Sequence, residues 1–355
     1  MTTISRQPFQ LVAPDGTVVA DDGDHPIDRD AARDYYRAMT LARAVDDEAT
    51  FLQRRGELGL WLRSLGQEAA QIGSISALRA SDYVFPSYRE HAAALARGLS
   101  PGQILAQWRG VAHSGWNPAD HNFHIYTLVL AAQLLHATGY AMGVQRDHSG
   151  DVVLAYFGDG ASSEGDAAEA FNIAAVNAAP VLFFCQNNAW AISTPNDKQF
   201  ASPVHVRAQA YGLWSAAVDG NDVFAVRAVT ERALRHIRSG GGPALVEALT
   251  YRRAGHSTAD DPTRYRPDSE VSEQASRDPI DRVEALLRQR DWADETFFAT
   301  AAADAREAAA RTREECLALP EPSLATYFDH VLADADPDVL RERTESLRQH
   351  PVAVS

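Results

Sequence analysis

The chain has 355 residues, 45% of them hydrophobic, with 33 basic against 48 acidic side chains and a formal charge of −15. That length supports a large core, and the acidity disfavours nucleic acid as a partner, so a compact acidic enzyme or enzyme subunit is the starting class.

Residues 1–27, with turn residues at Pro14-Asp15-Gly16, read as an extended arm with a short hairpin, expected to lie on another surface. Asp28 is placed to cap a helix whose Tyr35, Met39, Ala42, Val45, Ala49 and Leu52 recur at steps of three and four, a core-facing stripe. A second helix is expected over Gln67–Leu78. The short run Tyr83–Phe85 and then Tyr88-Arg89 lead into the Ala-rich segment His91–Gly98. From Arg109 to His124 the chain is rich in Gly, His, Asn and Trp without a period, and is expected to be a long loop, a feature that usually has a function.

After a helix over Ala131–Gln145, Val152–Phe157 and Val181–Cys185 are unbroken apolar runs flanking the helix Asp166–Ala178. Such runs fit parallel strands covered on both faces. Strand, helix and strand recur as Ser215–Val218, Asn221–Ile237 and Ala244–Leu249. A polar loop, Gly255–Arg266, and helices over Pro279–Gln289 and Asp294–Leu317 follow. The expectation is an α/β fold with a central, mostly parallel sheet flanked by helices. One domain spans 28–330, with a helical tail at 331–355.

Cys185 and Cys316 lie 131 residues apart with no CxxC pair, which indicates neither a disulfide framework nor a thiolate zinc site. No stretch of 18 uncharged apolar residues occurs, and the opening lacks a signal-peptide core. A reducing, cytoplasmic location without membrane contact is expected.

The chemistry concentrates in Gly158-Asp159-Gly160-Ala161, at the end of one apolar strand, and Asn187-Asn188, at the end of the next. Glycines let backbone amides approach an anion, and the following helix adds its positive end. Taken singly, GDG fits equally a tight strand-to-helix turn. With Asn188 29 residues beyond Asp159, carboxylate, amide and carbonyl oxygens with diphosphate oxygens would complete an all-oxygen site for Mg²⁺. Tyr88, Arg89 and Arg252 supply phenol and guanidinium groups that match phosphate oxygens, although a lone arginine beside an aromatic is as ordinary in packing. A nicotinamide enzyme would need GxGxxG after an early strand, an order that Gly158–Gly165 does not have. A scaffold protein gives no reason for these residues together.

The spacing resembles the thiamine diphosphate motif, which begins GDG and ends NN. Together with Gly66-Gln67-Glu68-Ala69, Tyr88-Arg89-Glu90, NNAWAISTP at 187–195 and DDPTRYR at 260–266, the chain is similar over roughly residues 30–320 to the alpha subunit of the first component of 2-oxo acid dehydrogenase complexes. The resemblance implies the thiamine diphosphate-binding fold. It also implies Mg²⁺ held by Asp159, the Asn188 side chain and the Trp190 carbonyl, with Gly158, Gly160, Ala161, Tyr88, Arg89 and Arg252 around the diphosphate. Leu128 and Leu130 would lie near the aminopyrimidine. His256 and Ser257 would be the catalytic residues of the active-site loop, His256 also touching the cofactor and Ser257 standing at a position phosphorylated in mitochondrial members. Gln186 departs from the arginine of branched-chain members. Among His113, His121 and His124, one would approach the substrate carboxylate. A glutamate needed at the pyrimidine belongs in such enzymes to a beta subunit. The resemblance thus implies an alpha₂beta₂ tetramer that passes its acyl group to a lipoyl-bearing acyltransferase component. Branched-chain oxo acids of the 2-oxoisovalerate type are the expected substrates, with pyruvate as the alternative.

Overall fold

The computed structural model describes residues 8–20, 23, 26–329 and 331–350. Its centre is a five-stranded, all-parallel sheet in the order β1 (Tyr83–Phe85), β2 (Val153–Gly158), β3 (Val181–Asn187), β7 (Ala244–Leu249) and β6 (Trp214–Asp219). A two-residue-per-strand hairpin, β4 (Trp190–Ala191) with β5 (Thr194–Pro195), hangs from the end of β3.

Strand alternation divides the core in two. On β2 and β3, Leu154, Tyr156, Leu182 and Phe184 face one cluster, while Val153, Ala155, Phe157, Val181, Phe183 and Cys185 face the other. Both faces are dry, and for that reason these strands read as unbroken apolar runs. The first face is covered by α1 (Arg29–Arg54), α2 (Glu68–Ser76), α3 (His91–Ala96), α4 (Pro101–Arg109), α10 (Val223–His236), α12 (Pro279–Gln289) and α13 (Glu295–Ala318). The second is covered by α6 (Ala132–Asp147), α7 (Gly165–Val176) and α9 (Val204–Ala210). Asp28, Asp222, Asp278 and Asp294 each accept a backbone N–H at the start of α1, α10, α12 and α13.

Several segments differ from the sequence reading. The segment 109–124 is not one long loop. Arg109 closes α4, a helix opened by a Ser100–Gln103 capping box with Pro101 in its first turn and ended by Gly110 at φ 79°. Pro118–His121 forms a further turn, α5, capped by Asn117. The helices α8 (Asn196–Gln199), α9 and α11 (Asp268–Ala275) also lie in stretches without a strong period. The arm, in its described part, packs on the edge of this chain's own sheet. Phe9 pairs with Val218 at the sheet edge, Asp222 accepts the N–H groups of Leu11 and Val12 at 2.7 Å, and both of those side chains are buried. The hairpin forms where expected, Val12 opposite Val18 with Gly16 at φ 87°. In the tail, α14 (Pro337–Gln349) buries no residue and packs mainly on the turn Leu324–Tyr327.

Candidate active site

Four adjacent parallel strands, β1, β2, β3 and β7, deliver their carboxyl ends to one cleft of about 600 Å³, the place where open α/β sheets bind ligands. Beyond β1 come Tyr88 and Arg89; at the end of β2, Gly158 and then Asp159 through Ala161; beyond β3, Asn188 and Trp190; beyond β7, Arg252 and His256. Leu128 and Leu130, at the entry to α6, complete the wall. Ser257 does not line the cleft, and neither do His113, His121 and His124. Ser257 Oγ accepts the N–H of Ala259 within its own loop, His121 faces the Arg97 carbonyl, and His124 sits against Phe85 and Tyr83. A second depression of about 700 Å³ between α1, α2 and α5 is lined by His121 but by no other expected site residue.

The register of β2 with β3, Val153 opposite Val181 through Gly158 opposite Gln186, brings the next residues of each strand together. Asp159 is buried, and its Oδ1 accepts the backbone N–H of Asn188 at 3.3 Å. Its Oδ2 is buried without a hydrogen-bond partner. Burial pushes the Asp159 carboxyl up to about 6, against the pull of the Asn188 N–H and of Arg252. A buried carboxylate oxygen left unpaired is costly unless something cationic completes it. Asn188 Oδ1 and the Trp190 carbonyl stand on the adjoining turn, so the donor set is oxygen throughout and suits a hard divalent cation. Among the described residues no cluster of three His, Cys, Asp or Glu side chains could hold a metal by itself, so other oxygens would have to complete the coordination.

The anion side of the cleft is built from buried guanidinium groups. Arg252 donates to the carbonyls of Trp190 (2.7 Å) and Ile192 (2.6 Å) and to the Tyr265 hydroxyl (3.1 Å). Arg89 donates to the carbonyl of His256 at 2.9 Å and to that of Arg63. All of these acceptors are neutral, so neither guanidinium is hydrogen-bonded to a carboxylate. Burial first, and then Arg89 and Arg252, lower His256 to about 4, so its imidazole is neutral at neutral pH. Gly160 has a steric reason to be glycine, since a Cβ there would lie 3.0 Å from Cβ of Ala191. Ile192 holds φ 53°, unusual for a β-branched residue, in the turn of the β4–β5 hairpin, and is 54% exposed at the cleft.

Gln186 does not present its amide to the anion side. Nε2 donates to Glu90 at 2.6 Å and Oε1 accepts from Gln71 at 3.1 Å, so it ties β3 to the residues after β1. The loop 255–266 is tied back by Tyr265, which donates to Asp260, and by Arg266, which reaches the Arg252 carbonyl, while Arg264 is exposed. Sequence reasoning missed Gln67, Gln133, Leu60 and Leu62, all on the cleft wall. The segment containing Gln67 carried family resemblance but no legible chemistry of its own.

The model of the family described as "Dehydrogenase E1 component" matches residues 36–322. The chain is 40% identical to the 3-methyl-2-oxobutanoate dehydrogenase subunit alpha of Mycobacterium tuberculosis (strain ATCC 25618 / H37Rv), over 98% of this chain and 95% of the relative. It is 33% identical to the mitochondrial 2-oxoisovalerate dehydrogenase subunit alpha of Homo sapiens, over 96% and 79%, and 35% identical to subunit alpha 2 from Arabidopsis thaliana, over 96% and 74%. With strand ends, cleft and relatives in agreement, the chain belongs to the dehydrogenase E1 component family, as an alpha subunit of the thiamine diphosphate-dependent first component of 2-oxo acid dehydrogenases.

Proposed function

We propose that this chain is the diphosphate-binding half of an enzyme that oxidatively decarboxylates a branched-chain 2-oxo acid and passes the acyl group to a lipoyl-bearing acyltransferase component. The names of the relatives support branched-chain substrates over pyruvate. The observation that carries the reading is the unpartnered Asp159 Oδ2, buried beside Asn188 and flanked by two guanidinium groups that are not spent on carboxylates.

In this reading Asp159, Asn188 and the Trp190 carbonyl hold Mg²⁺. Tyr88, Arg89 and Arg252, with the backbone from Gly158 to Ala161, hold the diphosphate. Because the Trp190 carbonyl already accepts from Arg252, its second lone pair serves the cation. Bound thiamine diphosphate supplies the electron sink that decarboxylation needs. The chain's own residues anchor, orient and exclude water. Leu128 and Leu130 offer an apolar wall, and His256, kept neutral, presents a hydrogen-bonding imidazole rather than a charge. Ser257, away from the cleft lining, has no assigned step.

Leu128, Leu130 and Ile192 on the cleft wall are 51%, 42% and 54% exposed, and Val129 between the first two is 69% exposed. An uncovered apolar rim supports a beta subunit closing the site in an alpha₂beta₂ tetramer. A cytoplasmic location belongs to the same reading. Both cysteines are free and buried, and no helix among the described residues is long and apolar enough to cross a membrane.

The test is carbon dioxide release from 3-methyl-2-oxobutanoate and from pyruvate by the chain copurified with its beta partner. Thiamine diphosphate and Mg²⁺ are removed and then restored. Activity should need both and favour the branched substrate. Preference for pyruvate, or full turnover by the isolated chain, would overturn the assignment.

A further inference from the structure

Gln67 sits at the start of α2 with only 1% of its surface exposed, on the wall of the cleft. Its backbone is held firmly. Gly66 before it has φ 91°, and a Cβ there would meet the Tyr251 carbonyl at 2.5 Å. Gly66 N–H donates to Glu68 at 2.9 Å, Thr250 Oγ1 donates to the Gly66 carbonyl, and Gln67 N–H donates to the Ser64 carbonyl at 2.8 Å. The side chain therefore projects from a fixed corner.

What that amide does follows from its neighbour. Asn188 Oδ1 accepts the Trp190 N–H at 3.4 Å, which turns the Asn188 Nδ2 toward Gln67 Oε1, also at 3.4 Å. With Oε1 so placed, Gln67 Nε2 is left over, and it is buried without a partner. A buried amide NH₂ without an acceptor carries the full cost of desolvation, which an oxygen-rich ligand would recover. The cleft around it holds Arg89 and Arg252, so the ligand class is an anionic oxygen.

We propose that Gln67 is a further binding residue of the site: its Nε2 donates to an oxygen of the bound diphosphate, while its Oε1 fixes the Asn188 amide with the oxygen turned to the cation. This rests on the reading of the cleft as a Mg²⁺–diphosphate site and adds an uncharged donor to it. The arrangement couples the two halves of the ligand. One side chain would orient a ligand of the cation and donate to the anion.

The experiment uses the assembled enzyme stripped of cofactor, with inorganic diphosphate and Mg²⁺ as probes in calorimetric titrations. Gln67→Glu keeps an acceptor for Asn188 but loses the donor; Gln67→Met keeps the length and loses both. At saturating Mg²⁺ both should bind diphosphate on the order of tenfold more weakly or worse, the scale of one hydrogen bond to a charged group. The half-saturating Mg²⁺ concentration should rise in Gln67→Met and not in Gln67→Glu, a split that a merely structural role would not produce. Melting of the ligand-free variants reports their folding separately, and either folded variant suffices for the diphosphate comparison. Wild-type affinity for Mg²⁺–diphosphate in a folded variant overturns the role of Gln67 alone. A wild-type enzyme indifferent to Mg²⁺–diphosphate overturns the parent reading and this inference with it.

Discussion

Two buried aspartates at opposite ends of the same sheet are treated in opposite ways. Asp82, just ahead of β1, has no exposed surface and a fully used carboxylate: Oδ1 accepts from Val152 N–H at 2.8 Å, and Oδ2 accepts from Arg79 N–H at 2.7 Å and from the Arg238 guanidinium at 2.5 Å. Asp159, just beyond β2, is 1% exposed, yet its carboxylate accepts a single hydrogen bond, at 3.3 Å, and has an oxygen with none. The first carboxylate is completed by the fold. The second is complete only when something else arrives, and the difference separates a structural buried charge from a functional one.

The comparison breaks most visibly at the satisfied end. Asp82→Ala strands the Arg238 guanidinium and two backbone N–H groups, so stability should fall by about 3–5 kcal/mol in urea melts, the usual result of removing one partner from a buried pair. Asp159→Asn should do the reverse. It removes an under-satisfied carboxylate, so the ligand-free protein should melt at the same or a higher temperature, while Mg²⁺-dependent diphosphate binding falls by about 100-fold or more, close to 3 kcal/mol. Equal destabilisation by the two variants would erase the distinction.

A smaller effect concerns His256. Burial and two guanidinium groups disfavour its imidazolium, so in the free enzyme it should titrate at about 4 in a proton NMR titration, against 6.5 for an exposed imidazole. Diphosphate offsets the charge of Arg89 and Arg252 and should move that value upward. Because the folded value lies below the unfolded one, the unfolded chain takes the proton first. His256 therefore costs stability as the pH falls from 6.5 toward 4 and costs nothing above that window. A free-enzyme value of 6.5 would show that neither burial nor the guanidinium charges act on this ring.

Much of this architecture is local enough to read directly. The stripe from Tyr35 to Leu52 and the apolar runs of β2 and β3 are written in period, and the pairing of GDG with NN follows once two such runs are taken as neighbours. What period cannot carry is contact between distant segments. The burial of Leu11 and Val12 depends on Asp222, 211 and 210 residues away. The role of Gln186 depends on Glu90 and Gln71, its partners, 96 and 115 residues away. The helix α4 was legible in Ser100, Pro101 and Gln103, but Gly102 within it obscured the signal. Gln67 had no local signal at all, since an amide acquires meaning only from what faces it.

The smallest effect is expected at Ser257, and it sharpens the comparison by testing a polar group beside the cleft that already has its contacts. The loop is held by its neighbours. Thr258 exchanges two hydrogen bonds with Trp61, the His256 N–H donates to Asp260 at 2.6 Å, and Arg89 grips the His256 carbonyl. Ser257 Oγ contributes one bond to the nearby Ala259 N–H at 3.2 Å. Ser257→Ala should therefore cost about 1 kcal/mol or less and leave both diphosphate affinity and kcat/KM within error of wild type. A loss of turnover with binding intact would mean that Ser257 reaches the reacting atoms when the site is closed, and the division between satisfied and waiting polar groups would have to be redrawn to include this loop.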